Sequence, residues 1–202
     1  MTMRSALLGL LLGMAQAVIA TSAWAADPSK FELLELKLGM TVADTEATAQ
    51  KAGFTVAGRD PGPSFEQAVA QRRGQRVSGG AFEGVNKIKL VRDDARVEVF
   101  FAPLPDGPRA YQIAADVLKM HGGADLKADV VAKYGEPEHR GQREWLWGDA
   151  GTFYARTKPF LEFQPAPVSA TAPKPIARII LADPALQKRA QDAIASEAKK
   201  GS

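Results

Sequence analysis

Residues 85–101 read VNKIKLVRDDARVEVFF and carry the clearest strand pattern in the chain. Ile88 and Leu90 alternate with lysines, so an extended strand places both apolar side chains on one face. The same alternation returns around Val97, after Asp93-Asp94, a pair of residues typical of a turn. The segment therefore predicts two antiparallel strands joined as a hairpin.

Weaker patterns on both sides of this hairpin predict further strands and helices. Ahead of it we expect an extended lead-in at 31–38, a helix at 41–52, a brief strand at 54–57, a loop at 58–63 and a helix at 65–73. After it we expect a strand grading into a helix over 109–120, a helix at 126–134, strands at 144–148, 151–155 and 160–163, a proline-rich loop at 165–175, a strand at 176–181 and a final helix at 184–198. This pattern predicts an α+β fold in which short helices pack on an antiparallel sheet.

Capping residues set the helix boundaries in this prediction. Thr41 stands three positions ahead of Asp44, the spacing of a capping box at a helix start. Ser64 and Gln67 repeat that spacing at the expected second helix. Gly135, with a proline two positions later, ends the third helix sharply.

The N-terminus has the pattern of an export signal. Arg4 supplies a positive charge, an apolar stretch runs over residues 6–19, and Ala23-Trp24-Ala25 matches a small-x-small cleavage site. Glycines and a glutamine interrupt the apolar stretch, whereas a membrane-spanning helix needs about 20 predominantly apolar residues. We therefore expect residues 1–25 to be a cleaved signal peptide and residues 26–202 to be a soluble periplasmic protein without a transmembrane span.

Composition narrows the kinds of site that the chain can carry. It contains no cysteine, which excludes a lipid-modified N-terminal cysteine, disulfides, thiolate metal sites and thiol nucleophiles. The formal net charge of +3 arises from mixed acidic and basic residues, so no nucleic-acid partner is expected. Residues 26–202 fit one domain with its own core, within which the pattern suggests subunits at 31–101 and 109–182.

No catalytic or metal-binding motif stands out. His121 and His139 lack the His-Glu-x-x-His spacing of zinc enzymes and fall in expected loops. Ser78 does not lie in a Gly-x-Ser-x-Gly turn. The carboxylates of Asp93-Asp94 point apart at a hairpin tip and face water. We therefore expect no metal, no cofactor and no catalytic residue.

Trp145 and Trp147 are the most prominent candidate binding residues. Alternate residues of a strand point to one face, so two indoles could form a platform for a partner or an apolar ligand. Alternatively they cover the helix that ends at Tyr134 and belong to the core, because large aromatic residues dominate core burial in small domains. Tyr134 joins them as a candidate in either interpretation.

A second candidate surface is the basic cluster of Arg72, Arg73 and Arg76. Three positive charges so close in sequence could meet an acidic partner or anionic lipid headgroups. The alternative is a solvated loop next to Gly74 with no binding role.

Two stretches resemble the half-repeats of a group of small periplasmic proteins. One is Leu38-Gly39-Met40-Thr41 ahead of a helix, and the other is Lys133-Tyr134-Gly135-Glu136-Pro137 followed by Trp145-Leu146-Trp147. The group includes the accessory lipoprotein of the outer-membrane barrel-assembly machine and the β-lactamase inhibitory protein. The resemblance implies two related helix-plus-sheet units and a role in binding proteins without catalysis. This chain lacks the acylated cysteine and the disulfides of that group and carries a long insertion between Gly58 and Gly84.

The sequence thus leads to three hypotheses about function. The first is a periplasmic binding or adaptor protein without catalytic activity, which engages a periplasmic or envelope protein, or an apolar ligand, near Trp145 and Trp147. The second is an enzyme that uses His121 or His139 as an acid-base group. The third is an envelope-assembly accessory that acts near the membrane through its arginine cluster.

Overall fold

The computed structural model describes residues 27–76, 81–118, 125–148, 156–165 and 176–200. The expected signal peptide at 1–25, the expected strand at 151–155, most of the expected loop at 165–175, and the residues Ser78 and His121 lie outside this part of the chain.

Two antiparallel sheets are formed by the described residues. The smaller one is a hairpin of β1 (Glu32–Leu33) and β2 (Leu36–Lys37). The strands of the larger one are β3 (Thr55–Gly62), β4 (Gly84–Arg92), β5 (Ala95–Leu104), β6 (Gly107–Val117), β7 (His139–Arg140), β8 (Trp145–Gly148), β9 (Phe160–Pro165) and β10 (Ala177–Ala182). They lie side by side in the order β3-β4-β5-β6-β10-β9-β8-β7.

Helices flank the large sheet. Those in the described residues are α1 (Val42–Lys51), α2 (Phe65–Arg72), α3 (Leu126–Tyr134) and α4 (Pro184–Lys200). Together with the antiparallel sheet they confirm the expected α+β class. Among the described residues, no helix combines the length and the apolar character that crossing a membrane requires.

The hairpin at residues 85–101 forms as expected and supplies the middle of the core. Ile88 lies opposite Val99 and Leu90 opposite Val97, and all four side chains are fully buried. The tight turn of the strand pair follows Arg92. The local alternation therefore predicted the two strands and their hairpin connection correctly.

The expected helix ends are also present. Thr41 accepts a hydrogen bond from the backbone N–H of Asp44 at the start of α1, and Ser64 with Gln67 forms a complete capping box at the start of α2. Gly135 follows α3 with φ of +81°, a backbone conformation that favours glycine.

The large sheet has a mirrored order of strands. β3 to β6 form one half, and β10 back to β7 form the other. The halves meet at the β6–β10 pair, where Ile113 lies opposite Leu181 and Ala115 opposite Ile179. Each half follows one helix, α1 or α3, and β6 belongs with the first half. The division into related subunits at 31–101 and 109–182 stays a prediction, and those bounds would place β6 in the second unit instead.

The main core lies on the face of the sheet that α1, α3 and the β1–β2 hairpin cover. Leu33 and Leu36 of the hairpin, Ala49 of α1 and Val130 of α3 are buried there. Because successive side chains of a strand point to opposite faces, Ala114 and Ile180 point away from this core and belong to a second buried cluster. The helices α2 and α4 pack against each other and against β5.

Two expectations about the longer strands were wrong. The expected loop at 58–63 is mostly strand, because β3 continues to Gly62 as an edge strand with register shifts after Val56 and Asp60. An edge strand tolerates Pro61 because one side of it needs no ladder hydrogen bonds. The expected strand-to-helix transition over 109–120 is absent from its described part, since β6 is strand to Val117 and pairs with a neighbour on each side.

Candidate functional site

Tyr134 and Trp147 lie together in the core at the end of α3. The Trp147 side chain is 1% exposed, and its Nε1 donates a hydrogen bond of 2.9 Å to the carbonyl oxygen of Gly135. The Tyr134 hydroxyl donates a hydrogen bond of 2.7 Å to the carbonyl oxygen of Glu32. The two rings meet edge-on with centroids 6.3 Å apart. Burial raises the pKa of the Tyr134 phenol, and the Glu32 carboxylate raises it further.

Trp145 is half-buried and carries cations on its ring. Its ring packs on that of Phe163 with centroids 5.4 Å apart. The Arg140 guanidinium lies 4.6 Å from the indole centroid and the Lys127 ammonium 5.8 Å from it. The structure therefore does not present the two tryptophans as one open platform, because Trp147 is enclosed and cations lie over Trp145. A binding role for Trp145 stays a prediction.

The three arginines of the basic cluster have different environments. Arg73 donates two hydrogen bonds to the last turn of α4, from Nε to the Ala198 carbonyl at 3.2 Å and from Nη2 to the Glu197 carbonyl at 2.7 Å. Arg72 and Arg76 are exposed. Arg73 thus has a structural contact between α2 and α4, and a binding role for the cluster stays a prediction.

His139 was expected on a loop, but it lies exposed on the two-residue strand β7 at the edge of the sheet, where β7 pairs with β8. Within the described ranges, no group of three or more His, Cys, Asp or Glu side chains is placed to hold a metal ion. A catalytic role for His139 or His121 stays a prediction.

A cleft of about 310 Å³ lies at the end of the sheet where β3 ends and β4 starts. This volume is at the lower end of the roughly 300–1,000 Å³ that is usual for ligand pockets. Its walls are mainly apolar, and it is partly open to solvent. The lining comes from four segments, namely Val42, residues 63–66, residues 83–85 and the β5–β6 hairpin at 103–108 without Asp106.

Prolines form much of the cleft wall. They are Pro63, Pro103, Pro105 and Pro108, and Pro103 lies opposite Pro108 in the β5–β6 ladder. A proline ring fixes φ and leaves little side-chain freedom to lose. Such a wall keeps its shape before a ligand arrives, which lowers the entropy cost of binding.

The start of α1 is tied to the sheet beside the cleft. The Gly39 N–H donates to the Ala110 carbonyl at 2.7 Å, and the Ala110 N–H donates to the Met40 carbonyl at 2.9 Å. These two backbone hydrogen bonds join residues 39–40 to Ala110 of β6. They hold Val42, the first residue of α1, against the β5–β6 side of the cleft.

Gln67 joins the two segments on the opposite side of the cleft. Its Oε1 accepts hydrogen bonds from the backbone N–H of Ser64 at 3.1 Å and from that of Glu83 at 3.0 Å. Its Nε2 donates to the carbonyl of Ala81 at 3.0 Å. The side chain is 8% exposed, so these bonds form away from bulk water. One glutamine therefore fixes residues 81–83 against the first turn of α2.

Gly84 allows the closest backbone contact in the cleft floor. A Cβ at this position would stand 2.7 Å from the Pro63 oxygen and 2.9 Å from the Pro63 carbonyl carbon. Only glycine permits that approach without a shift of the backbone.

The charges on the cleft lining are negative. Glu66 and Glu83 line it, both are exposed, and no described lining residue is Lys, Arg or His. Neither carboxylate forms an ion pair with a described residue, although Glu66 accepts a hydrogen bond of 3.1 Å from the Ser64 hydroxyl. Phe82, next to Glu83, is 45% exposed.

A smaller cavity of about 240 Å³ lies near the start of α4 and includes Arg156 and Phe160. Arg156 forms a buried ion pair with Glu162 at 2.6 Å, and its guanidinium lies 4.3 Å from the centroid of the Phe160 ring. A buried charge needs such a partner for stability, so this pair has a structural explanation. The proline-lined cleft is therefore the stronger candidate site of these two.

Comparison with protein-family models, with curated proteins and with solved structures returned no match.

Sequence reasoning missed the cleft. Pro63 belongs to a segment that was expected to be a loop, and Gln67 was recognised only for its part in the capping box. One feature of the sequence could have indicated the cleft. Four prolines lie at position 63 and within residues 103–108, close to predicted strands. The pattern did not show that β3, β4, β5 and β6 bring those segments to one end of the sheet.

Proposed function

We propose that the protein is a binding protein without catalytic activity, which holds an apolar segment of a partner protein in the proline-lined cleft. The observation that carries this proposal is the cleft itself, because four tethered segments enclose about 310 Å³ with mainly apolar walls. An apolar cleft of that size with a few polar groups at its rim is the usual form of a binding site.

Hydrogen bonds hold the cleft walls in place, which favours a binding site over an accidental gap in the packing. Gln67 fixes the Ala81–Glu83 side, and the backbone hydrogen bonds at Ala110 fix the α1 side. A preformed site loses less conformational freedom when the partner arrives. The export signal expected at residues 1–25 would place this activity in the periplasm, with an envelope or periplasmic protein as partner.

Site-specific photo-crosslinking in intact cells tests the proposal. A photoreactive amino acid replaces Leu104 in the cleft wall or, in the matched control, Ala128 on the exposed side of α3. We expect a discrete adduct with one partner from position 104 and none from position 128. Equal adducts from both positions, or none from position 104, would contradict the proposal.

A further inference from the structure

We infer that the segment held in the cleft is cationic, with a lysine or arginine beside the apolar side chains that enter it. This inference rests on the proposed function, because it names the chemistry of the partner at the same site.

The first support is the sign of the charge at the cleft. Its described ionisable lining residues, Glu66 and Glu83, are both carboxylates, on a chain whose formal net charge is +3. Opposite charges at a rim steer a partner and fix its register more than they add affinity. A segment with an acidic residue at the same place would meet two like charges.

The second support is that neither carboxylate forms an ion pair with another residue in the described part of the chain. Nearby carboxylates of the sheet pair with lysines, as Asp60 does with Lys89 at 2.8 Å and Glu98 with Lys87 at 2.8 Å. Glu66 and Glu83 have no such cation among the described residues. Glu66 lies in the first turn of α2, where its negative charge interacts favourably with the positive end of the helix dipole. Glu83 lies outside the described helices.

The third support is that the backbone that carries Glu83 is held in place. The Gln67 side chain binds the backbone on both sides of Phe82, through Ala81 and Glu83. The exposed Phe82 ring therefore stands next to a carboxylate on a fixed backbone. An aromatic face and a carboxylate both attract an ammonium or guanidinium group.

Peptide display on the folded exported protein tests the inference. A library of random short peptides is selected on the wild type, and enriched peptides are synthesised with a fluorescent label. Their dissociation constants are measured by anisotropy for three variants, after each is checked for wild-type thermal unfolding. Glu66→Gln with Glu83→Gln removes the cleft charges, Asp129→Asn with Glu138→Gln removes two exposed carboxylates elsewhere, and Pro105→Trp fills the cleft mouth.

We expect enriched peptides to combine apolar residues with Lys or Arg. These peptides should bind the Pro105→Trp variant much more weakly than the wild type. Loss of both cleft carboxylates should weaken peptide binding about fivefold, since each exposed ion pair contributes only modestly to affinity. The control pair should leave binding unchanged, and added salt should reduce the difference.

The other outcomes separate this inference from the proposed function. The cationic inference alone would be overturned by peptides that need an open cleft but contain no basic residue. It would also be overturned if the loss of both carboxylates left peptide binding unchanged. Selection that yields no peptide sensitive to Pro105→Trp would overturn the proposed function as well.

Discussion

The backbone N–H of Glu83 donates a hydrogen bond of 3.0 Å to the side-chain oxygen of Gln67, across 16 positions of sequence. The same oxygen accepts the N–H of Ser64, so one buried atom serves both the start of α2 and the lead into β4. The shape of the cleft depends on this atom, because both segments line it.

Replacing Gln67 with alanine should therefore destabilise the protein. Gln67→Ala leaves two backbone N–H groups and one carbonyl without their partner, and we expect a loss of about 1–3 kcal/mol in the free energy of unfolding. Urea unfolding measures it. Gln71→Ala, at an exposed position of the same helix, is the control and should change stability by less than about 0.5 kcal/mol. Equal effects of the two substitutions would show that the contacts of Gln67 are not important.

Gly84→Ala should disturb the cleft floor. The added Cβ would lie 2.7 Å from the Pro63 oxygen, so the backbone must move, at a cost of about 1–3 kcal/mol typical of overpacking. The matched control is Gly58→Ala on β3, where the nearest atom to a new Cβ is the Lys89 Cδ at 4.0 Å. Thermal unfolding of both variants measures the difference. A Gly84→Ala protein as stable as Gly58→Ala would contradict the close contact.

Trp147→Ala should be much more damaging than Trp145→Ala. The Trp147 ring is enclosed and its loss leaves a cavity and an unpaired Gly135 carbonyl, so we expect about 3–5 kcal/mol of destabilisation. Trp145 is half-buried and should cost clearly less. Urea unfolding of the single variants measures both losses. Similar values would mean that the two indoles are equally buried in solution.

Arg73→Ala should loosen the end of α4, whereas Arg72→Ala should not. Arg73 donates to two carbonyls of that helix end, and losing both bonds should cost about 1–2 kcal/mol. Amide hydrogen exchange in the last turn of α4 reports the effect locally. Arg72, the exposed last residue of α2 and the neighbour of Arg73, provides the control. Unchanged exchange in the Arg73 variant would rule out this contact.

Alkaline conditions should destabilise the protein through Tyr134. Burial raises the pKa of its phenol above the usual 10.0, so above that pH the unfolded chain releases a proton that the folded chain retains. Stability therefore falls as pH rises through this range.

Tyr134→Phe tests this pH dependence. The variant lacks the hydrogen bond to Glu32 and should be less stable than wild type at neutral pH. Its disadvantage should shrink above pH 10.0, because it has no proton to lose at that position. Urea unfolding at both pH values measures the difference. Tyr111→Phe is a useful comparison, because burial also raises the pKa of Tyr111. A parallel decline of wild type and Tyr134→Phe would contradict the assignment.

Features set by neighbouring residues were predictable from the sequence. The hairpin around Leu90 and Val97 followed from alternation, and the ends of α1, α2 and α3 followed from Thr41, Ser64 and Gly135. Each of these features depends on residues a few positions apart, where propensity and capping act directly.

Features set by distant pairing were not predictable. Gly58 to Gly62 have the composition of a loop and become strand because β4 pairs with them. Ala114 and Ala115 favour a helix in isolation, yet β5 and β10 on either side keep them extended. The cleft was not predictable for the same reason, since Pro63 and Pro108 line one cleft only once the sheet has assembled.

The mirrored order of the large sheet also has a consequence for how the chain folds as it leaves the ribosome. Strands β3 to β6 are consecutive and can pair as soon as residue 117 has emerged, but the partner on the other side of β6 is residues 177–182. Until then β6 is an open edge with unpaired backbone groups, the kind of edge that recruits other chains. Folding of this protein therefore includes an interval in which self-association competes with completion of the sheet, and it ends only when the last strand is in place.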